Sequence, residues 1–139
     1  MNEPPPPGPR PLGLPKYLAA LISWVLLASA GAGLLDWRFD AGPMASGDTL
    51  AGHLAWRTFS ATTSATVCGL ILYSLVRPLT PGRATAATVL PTLAGMQRVT
   101  REHFLQHLIL VAITSGLIAG TLLLLTSWAS RRRARTPRD

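Results

Sequence analysis

FLQHLILVAITSGLIAGTLLLLTSW, residues 104–128, is the strongest indication of fold class in the sequence, because it contains 25 residues without a formal charge. About 20 apolar residues, each adding 1.5 Å of helical rise, cross the roughly 30 Å hydrocarbon core of a bilayer. A helix of a soluble domain would carry a charged or strongly polar face, and this stretch carries none. Arginines follow it at positions 131, 132, 133 and 135, and they cannot enter lipid with it. The sequence therefore predicts a transmembrane helix with a basic stop, in an integral membrane protein.

Two more apolar stretches, residues 17–35 and 58–76, predict two further membrane spans. Lys16 and Tyr17 suit the headgroup boundary at the start of the first span. The second span is rich in serine and threonine, whose hydroxyls are tolerated in lipid because they bond to the carbonyl four residues earlier. Between these spans, turn-forming glycines and several aspartates predict a solvated loop over residues 36–57.

Residues 1–16 are rich in proline and predict a disordered N-terminal tail, in which residues 4–7 favour polyproline II. The span that follows has an alternative interpretation as a signal peptide, since Ala28-Ser29-Ala30 resembles a cleavage site. The apolar run continues past that site, which favours a span that is retained.

Residues 84–97, ATAATVLPTLAGMQ, are apolar, but fourteen residues are too few for an ordinary crossing. Pro91 would also kink a helix at its middle. The segment is therefore either re-entrant or a short tilted span. With three spans the positive charges divide almost evenly between the two sides, whereas with four spans nine lie on one side and four on the other. The positive-inside rule thus favours four spans and hydropathy favours three, and in both cases we place the basic tail, residues 131–139, in the cytoplasm.

Together these segments predict an all-α fold, with three transmembrane helices and a short fourth segment inside a membrane domain of residues 17–130. A chain of 139 residues, 48% hydrophobic and 14% charged, has room for one such domain. Its net charge of +7 comes mostly from arginines that flank the spans, where they suit anionic headgroups rather than nucleic acid. We therefore expect the lipid bilayer as a partner, no nucleic acid, and the cytoplasmic membrane of a bacterium as the location.

Two stripes of small residues at helical spacing predict surfaces where helices pack closely. Helices associate inside a bilayer by close packing and hydrogen bonding, because lipid tails are as apolar as leucine. One stripe lies on the third span and includes a GxxxG motif, and the other lies on the second span. Their members are Ala112, Gly116 and Gly120, and Ala61, Ala65 and Gly69. We expect the third-span stripe to hold the protein to its neighbours, which are either other membrane subunits or further copies of the chain.

His103 and His107 lie one helical turn apart, on one face, at the start of the third span. Imidazole is a common ligand of copper, zinc and haem iron, and this spacing lets two rings reach one metal. His53 would supply a third ligand if its end of the loop lies on the same side. The alternative is that both rings lie among lipid headgroups without a ligand. The pair is thus a candidate metal site, with copper or haem as the candidate cofactor.

The sequence from His103 to Leu110, HFLQHLIL, resembles the histidine-rich helix start of the multi-span cytochrome-oxidase copper-assembly proteins. This resemblance covers residues 103–120 and implies copper handling for His103 and His107 alone. Separately, Gln106-His107 with Ser115-Gly116 resembles the first haem-binding helix of di-haem cytochrome b subunits. That family uses further histidines, which this chain lacks.

Motifs of soluble catalysis do not occur in the sequence: it has no Gly-rich phosphate loop, no CxxC, no HExxH and no GxSxG. We therefore expect a small accessory or assembly subunit of a larger membrane complex rather than an enzyme. One alternative is a metal- or haem-handling redox protein that uses the two histidines. Another is a pore-forming oligomer of the holin type, which is similar in size, span number and charged tail.

Overall fold

Every ordered element that the structure describes is an α-helix. The computed structural model describes residues 12–39, 49–76 and 81–135. The helices are α1 (Leu14–Phe39), α2 (Leu50–Leu75), α3 (Pro81–Met96) and α4 (Phe104–Arg135). The first two helices and the Phe104–Trp128 part of α4 are long and apolar enough to cross a membrane. The predicted all-α fold with three membrane-crossing helices is therefore confirmed.

The helices extend beyond the apolar stretches that predicted them. Within residues 36–57, predicted as a loop, residues 36–39 and 50–57 are helical, because α1 continues to Phe39 and α2 begins at Leu50. The hydroxyl of Thr49 starts α2 by accepting the backbone N–H of Gly52 at 3.1 Å, which satisfies a donor that has no partner within the helix. The prediction of a loop was therefore wrong for residues 36–39 and 50–57.

The two terminal tails are shorter than predicted, because helices extend into both of them. Helix α1 begins at Leu14, with Pro15 in its first turn, where the missing N–H of proline has no helical acceptor to lose. At the other end, α4 continues through the arginines to Arg135. Most of the proline-rich segment, residues 1–11, and the end of the basic tail, residues 136–139, lie outside the described residues.

Helix α2 is the centre of the bundle, since it packs against each of the other helices. The hydroxyl of Tyr73, near the end of α2, donates to the carbonyl of Leu12 at 3.2 Å, so α1 runs antiparallel to α2. Phe104 lies against Trp56 near the start of α2, with ring centroids 5.3 Å apart, and α4 therefore runs parallel to α2. We call the end with Leu12 and Tyr73 the basic end, and the end with Trp56 and Phe104 the histidine end.

Helix α3 runs from the basic end to the histidine end, antiparallel to α2. At the basic end, its Ala87 carbonyl accepts a hydrogen bond from the hydroxyl of Tyr17. At the histidine end, the carbonyls of Met96 and Gln97 accept hydrogen bonds from Arg57. Its 16 residues span about 24 Å, slightly less than a bilayer core. Helix α3 therefore runs between the two ends of the bundle, and both described chain ends lie at the basic end.

Pro91 leaves a gap in the hydrogen bonding of α3, and α1 fills it. Proline has no N–H, so the carbonyl four residues earlier, that of Ala87, has no donor within the helix. The Tyr17 hydroxyl supplies that donor. Tyr17 is 2% exposed and its ring stacks on Tyr73, with centroids 5.4 Å apart. In lipid, where no water can replace a missing partner, this bond lets α3 keep its proline.

Candidate functional site

The small-residue stripe of α2 lies inside the bundle. Ala61 and Ala65 are each 1% exposed. A Cβ placed on Gly69 would lie 2.6 Å from Cδ2 of Leu21 on α1, closer than real Cβ atoms come to a neighbour. A Cβ on Gly95 of α3 would lie 2.7 Å from the carbonyl oxygen of Ala61. The stripe of α2 therefore faces α1 and α3 within the same chain, and it is covered.

The stripe predicted on α4 lies beside the surface that packs on α2, not at its centre. The buried residues of α4 are Val111, Ser115 and Ala119, spaced four apart. Val111 and Ala119 form one apolar cluster with Cys68 and Leu72 of α2. The sequence could not single out this face, because it offers two adjacent stripes of suitable residues along the same helix.

Ala112, Gly116 and Gly120 form what we call the glycine face of α4. All three are half-buried. A Cβ placed on Gly116 or on Gly120 would meet nothing within 4 Å. No described part of the chain therefore uses the space that these two glycines leave open. The prediction that this face contacts a neighbouring helix concerns other molecules, and it stays a prediction.

A buried arginine joins three helices at the histidine end. Arg57 of α2 is 8% exposed, and its Nη2 atom lies 3.5 Å from Oδ2 of Asp36 near the end of α1. Arg98, which follows α3, lies 2.8 Å from the other oxygen of the same carboxylate. The guanidinium of Arg57 also donates to the carbonyls of Met96 and Gln97, each at 3.0 Å. We call Asp36, Arg57 and Arg98 the arginine cluster.

The charges of the arginine cluster are partnered within the bundle. The last carbonyls of a helix have no helical donors and carry partial negative charge, so the positive guanidinium is favourable at the end of α3. The carboxylate of Asp36 pairs with both Arg57 and Arg98 and offsets one of their two positive charges. The sequence predicts Arg57 at the end of a solvated loop and does not indicate this role. The available signal was a carboxylate and an arginine at the facing ends of consecutive spans.

Aromatic side chains fix the connection between α3 and α4 next to that cluster. The indole N–H of Trp56 donates to the carbonyl of Val99 at 2.9 Å. Phe59 and Phe104 pack on the Trp56 ring at centroid distances of 5.8 and 5.3 Å. The guanidinium of Arg101 lies 5.6 Å from the centre of the same ring. The start of α4, and with it the histidine pair, is thereby held against α2.

His103 and His107 line one cleft of about 390 Å³ at the histidine end, together with Arg98 and Gln106. The ring of His103 is exposed, and its Nδ1 atom lies 2.9 Å from the hydroxyl of Thr100. The Nε2 atom of His107 is buried and has no hydrogen-bond partner. The two imidazoles thus share a cleft, as their spacing predicts, and one of them has an unused nitrogen.

The third ligand considered for this pair, His53, lies at the same end of the bundle but against a different neighbour. Its ring centroid is 5.8 Å from that of Trp37 on α1. Among the described residues, no three His, Cys, Asp or Glu side chains come together in a way that would hold a metal ion. Within that part of the chain, His103 and His107 offer a metal two ligands.

Comparison of the chain with protein-family models, with curated proteins and with solved structures finds no match. The proposal for the function therefore rests on the residues and their geometry.

Proposed function

We propose that this chain is a small integral membrane subunit that docks through the glycine face of α4 onto a transmembrane helix of a larger membrane complex. The observation that carries the proposal is the contrast among the glycines. Gly33, Gly69 and Gly95 each leave room that a neighbouring helix of the same chain fills. Gly116 and Gly120, one turn apart on α4, leave room that no described residue fills, as does the single Gly31 on α1.

The open glycines support docking because glycine is costly in a helix. It destabilises a helix interior by about 1 kcal/mol relative to alanine, so two unused glycines one turn apart are a net loss for the isolated chain. The same residues allow a second helix to approach closely, and close approach is a main source of helix association in lipid. The remainder of α4 between Gly116 and Trp128 is apolar and exposed at many positions, as a helix in contact with lipid or with a partner would be.

The proposal includes an orientation, with the basic end in the cytoplasm. We include α3 as a fourth crossing in this proposal; by sequence order, Arg10, Lys16, Arg77, Arg83 and the five arginines after Trp128 then lie on one side of the membrane, and the other four basic residues lie on the opposite side. Positive charge accumulates on the cytoplasmic side of short membrane proteins, which supports this assignment. A reporter that is active only in the cytoplasm, fused after Asp139, should therefore be active, and activity of a periplasm-dependent reporter there would contradict the orientation.

Docking is tested by filling the glycine face without changing the polarity of the span. Gly116→Ile and Gly120→Ile keep the segment apolar enough to insert, and each places a branched side chain where the partner would lie. We expect normal membrane insertion and loss of the assembled form, measured by size and by co-purifying subunits after extraction in a gentle detergent.

The matched controls are Leu117→Ile and Leu124→Ile, which place the same side chain at positions 66% and 72% exposed. They should leave the assembly unchanged. Co-purification of other membrane proteins supports the accessory-subunit proposal, and a homo-oligomer alone would favour the holin-type alternative instead. If the glycine variants keep the size and the partners of the parent protein, the glycine face contacts only lipid and the proposal fails.

A further inference from the structure

An apolar crevice separates α3 from α4 at the basic end of the bundle. It has a volume of about 190 Å³. Its floor is the last turn of α2, and its walls come from α3 and from the second half of α4. The lining residues are Leu72, Val76, Arg83, Ala87, Leu90, Leu122, Leu123 and Thr126. The crevice therefore runs along the bundle at the depth where one bilayer leaflet would lie.

One charged side chain lines this crevice, and it lies at the outer end. Arg83 is four residues, or about one helical turn, nearer to the basic end than Ala87, and it is exposed. It has no ion-pair partner among the described residues. Arg131, on the turn after Trp128, is also exposed at this end. A positive charge thus stands at headgroup level above a groove lined by aliphatic side chains.

We propose that the crevice binds one anionic phospholipid, with an acyl chain between α3 and α4 and the phosphate at Arg83. The crevice matches such a ligand in shape and charge. The acyl chain of the lipid would contact the apolar lining, and the negative phosphate would lie beside the positive side chain of Arg83. Attraction between an anionic headgroup and a basic side chain near the membrane surface strengthens this match.

A second copy of the chain is a poorer occupant of the same crevice. Copies inserted in one membrane share one orientation, so a helix from a second copy would bring its own basic end to Arg83. Its basic residues would then lie close to Arg83 and Arg131 at the headgroup level, and these like charges would repel each other. Charge therefore favours the lipid.

The test uses the full chain in nanodiscs made from equal amounts of phosphatidylglycerol and phosphatidylcholine, with bound lipid counted by native mass spectrometry after release. We expect the parent protein to retain about one phosphatidylglycerol, at about fivefold preference over phosphatidylcholine, the value that one basic residue near the surface gives. Arg83→Gln should remove this preference. Lys16→Gln, which removes an exposed charge at the same end but on α1, should keep it.

A second pair of variants tests the apolar part of the site. Leu122→Phe partly fills the crevice and should reduce retention of the lipid, whereas Leu125→Phe, at a 56% exposed position outside the lining, should not. Equal retention in Arg83→Gln and Lys16→Gln would overturn the proposal. So would a loss in Arg83→Gln without a loss in Leu122→Phe, because the headgroup would then bind without the crevice. These variants leave Gly116 and Gly120 intact, so docking and lipid binding fail or succeed separately.

Discussion

Helices α2 and α3 form one group and helix α4 another, and the two groups use small residues in opposite ways. In the first group, Gly69 and Gly95 lie where another helix of the chain passes within van der Waals contact. In α4, Gly116 and Gly120 face open space, while larger residues such as Val111 make the contact with α2. A small-residue motif therefore indicates where another helix can approach closely. Whether that helix belongs to the same chain depends on the tertiary structure.

The largest effect should come from removing the charge that ties the first three helices together. In Arg57→Met, two carbonyls of α3 lose their donors and Asp36 loses one of its two arginines. Breaking a buried ion pair from one side costs about 3 kcal/mol or more, and we expect a loss of that order in the free energy of unfolding. Unfolding by SDS in mixed micelles, followed by tryptophan fluorescence, measures it.

Arg38→Met is the matched control for that change, since Arg38 is an exposed arginine near the same end of α1. It should change stability by less than about 0.5 kcal/mol, as is usual for exposed positions. Equal losses for Arg57→Met and Arg38→Met would mean that the arginine cluster does not hold the helices together.

A smaller loss of stability is expected when a glycine in contact with another helix is replaced by alanine. Gly95→Ala should destabilise the bundle by about 2 kcal/mol, because the new methyl group meets the backbone of Ala61, which cannot rotate away. The same SDS titration measures this loss.

Gly116→Ala completes that comparison, because a methyl group at this position meets nothing within 4 Å. Its effect on the isolated chain should be a gain of up to about 1 kcal/mol, the difference in helix propensity between alanine and glycine. A loss of stability as large as that of Gly95→Ala would show that α4 packs differently from the structure described here, and the comparison would fail.

The sequence predicted the membrane class and the all-α fold because about 20 uncharged residues in a row have few other stable arrangements. The sequence was a poorer guide to features that depend on other parts of the chain. The helical start of α2 depends on Thr49, and the burial of Arg57 depends on the end of α3, some 40 residues away. Neither contact leaves a periodic pattern in the sequence.

In the candidate site too, local spacing was predictable and tertiary contacts were not. The spacing of His103 and His107 predicted that they share one face, and both line the same cleft. The spacing could not tell which of two neighbouring faces of α4 packs on α2, because Ser115 and Gly116 are both small enough for a helix contact. Local spacing specifies which residues lie together, and the tertiary contacts specify what they face.

The bond between Tyr17 and the carbonyl of Ala87 also has a consequence for how the protein enters the membrane. Helix α3 is short and interrupted by Pro91, so alone it offers lipid an unsatisfied carbonyl. The donor for that carbonyl is on α1, which is synthesised first and is present before α3 emerges. In the four-span arrangement that we propose, the crossing of α3 sets the side of the membrane from which α4 starts. We therefore expect the phenol of Tyr17 on the first helix to influence the direction of the last helix, so that the helices insert one after another rather than independently.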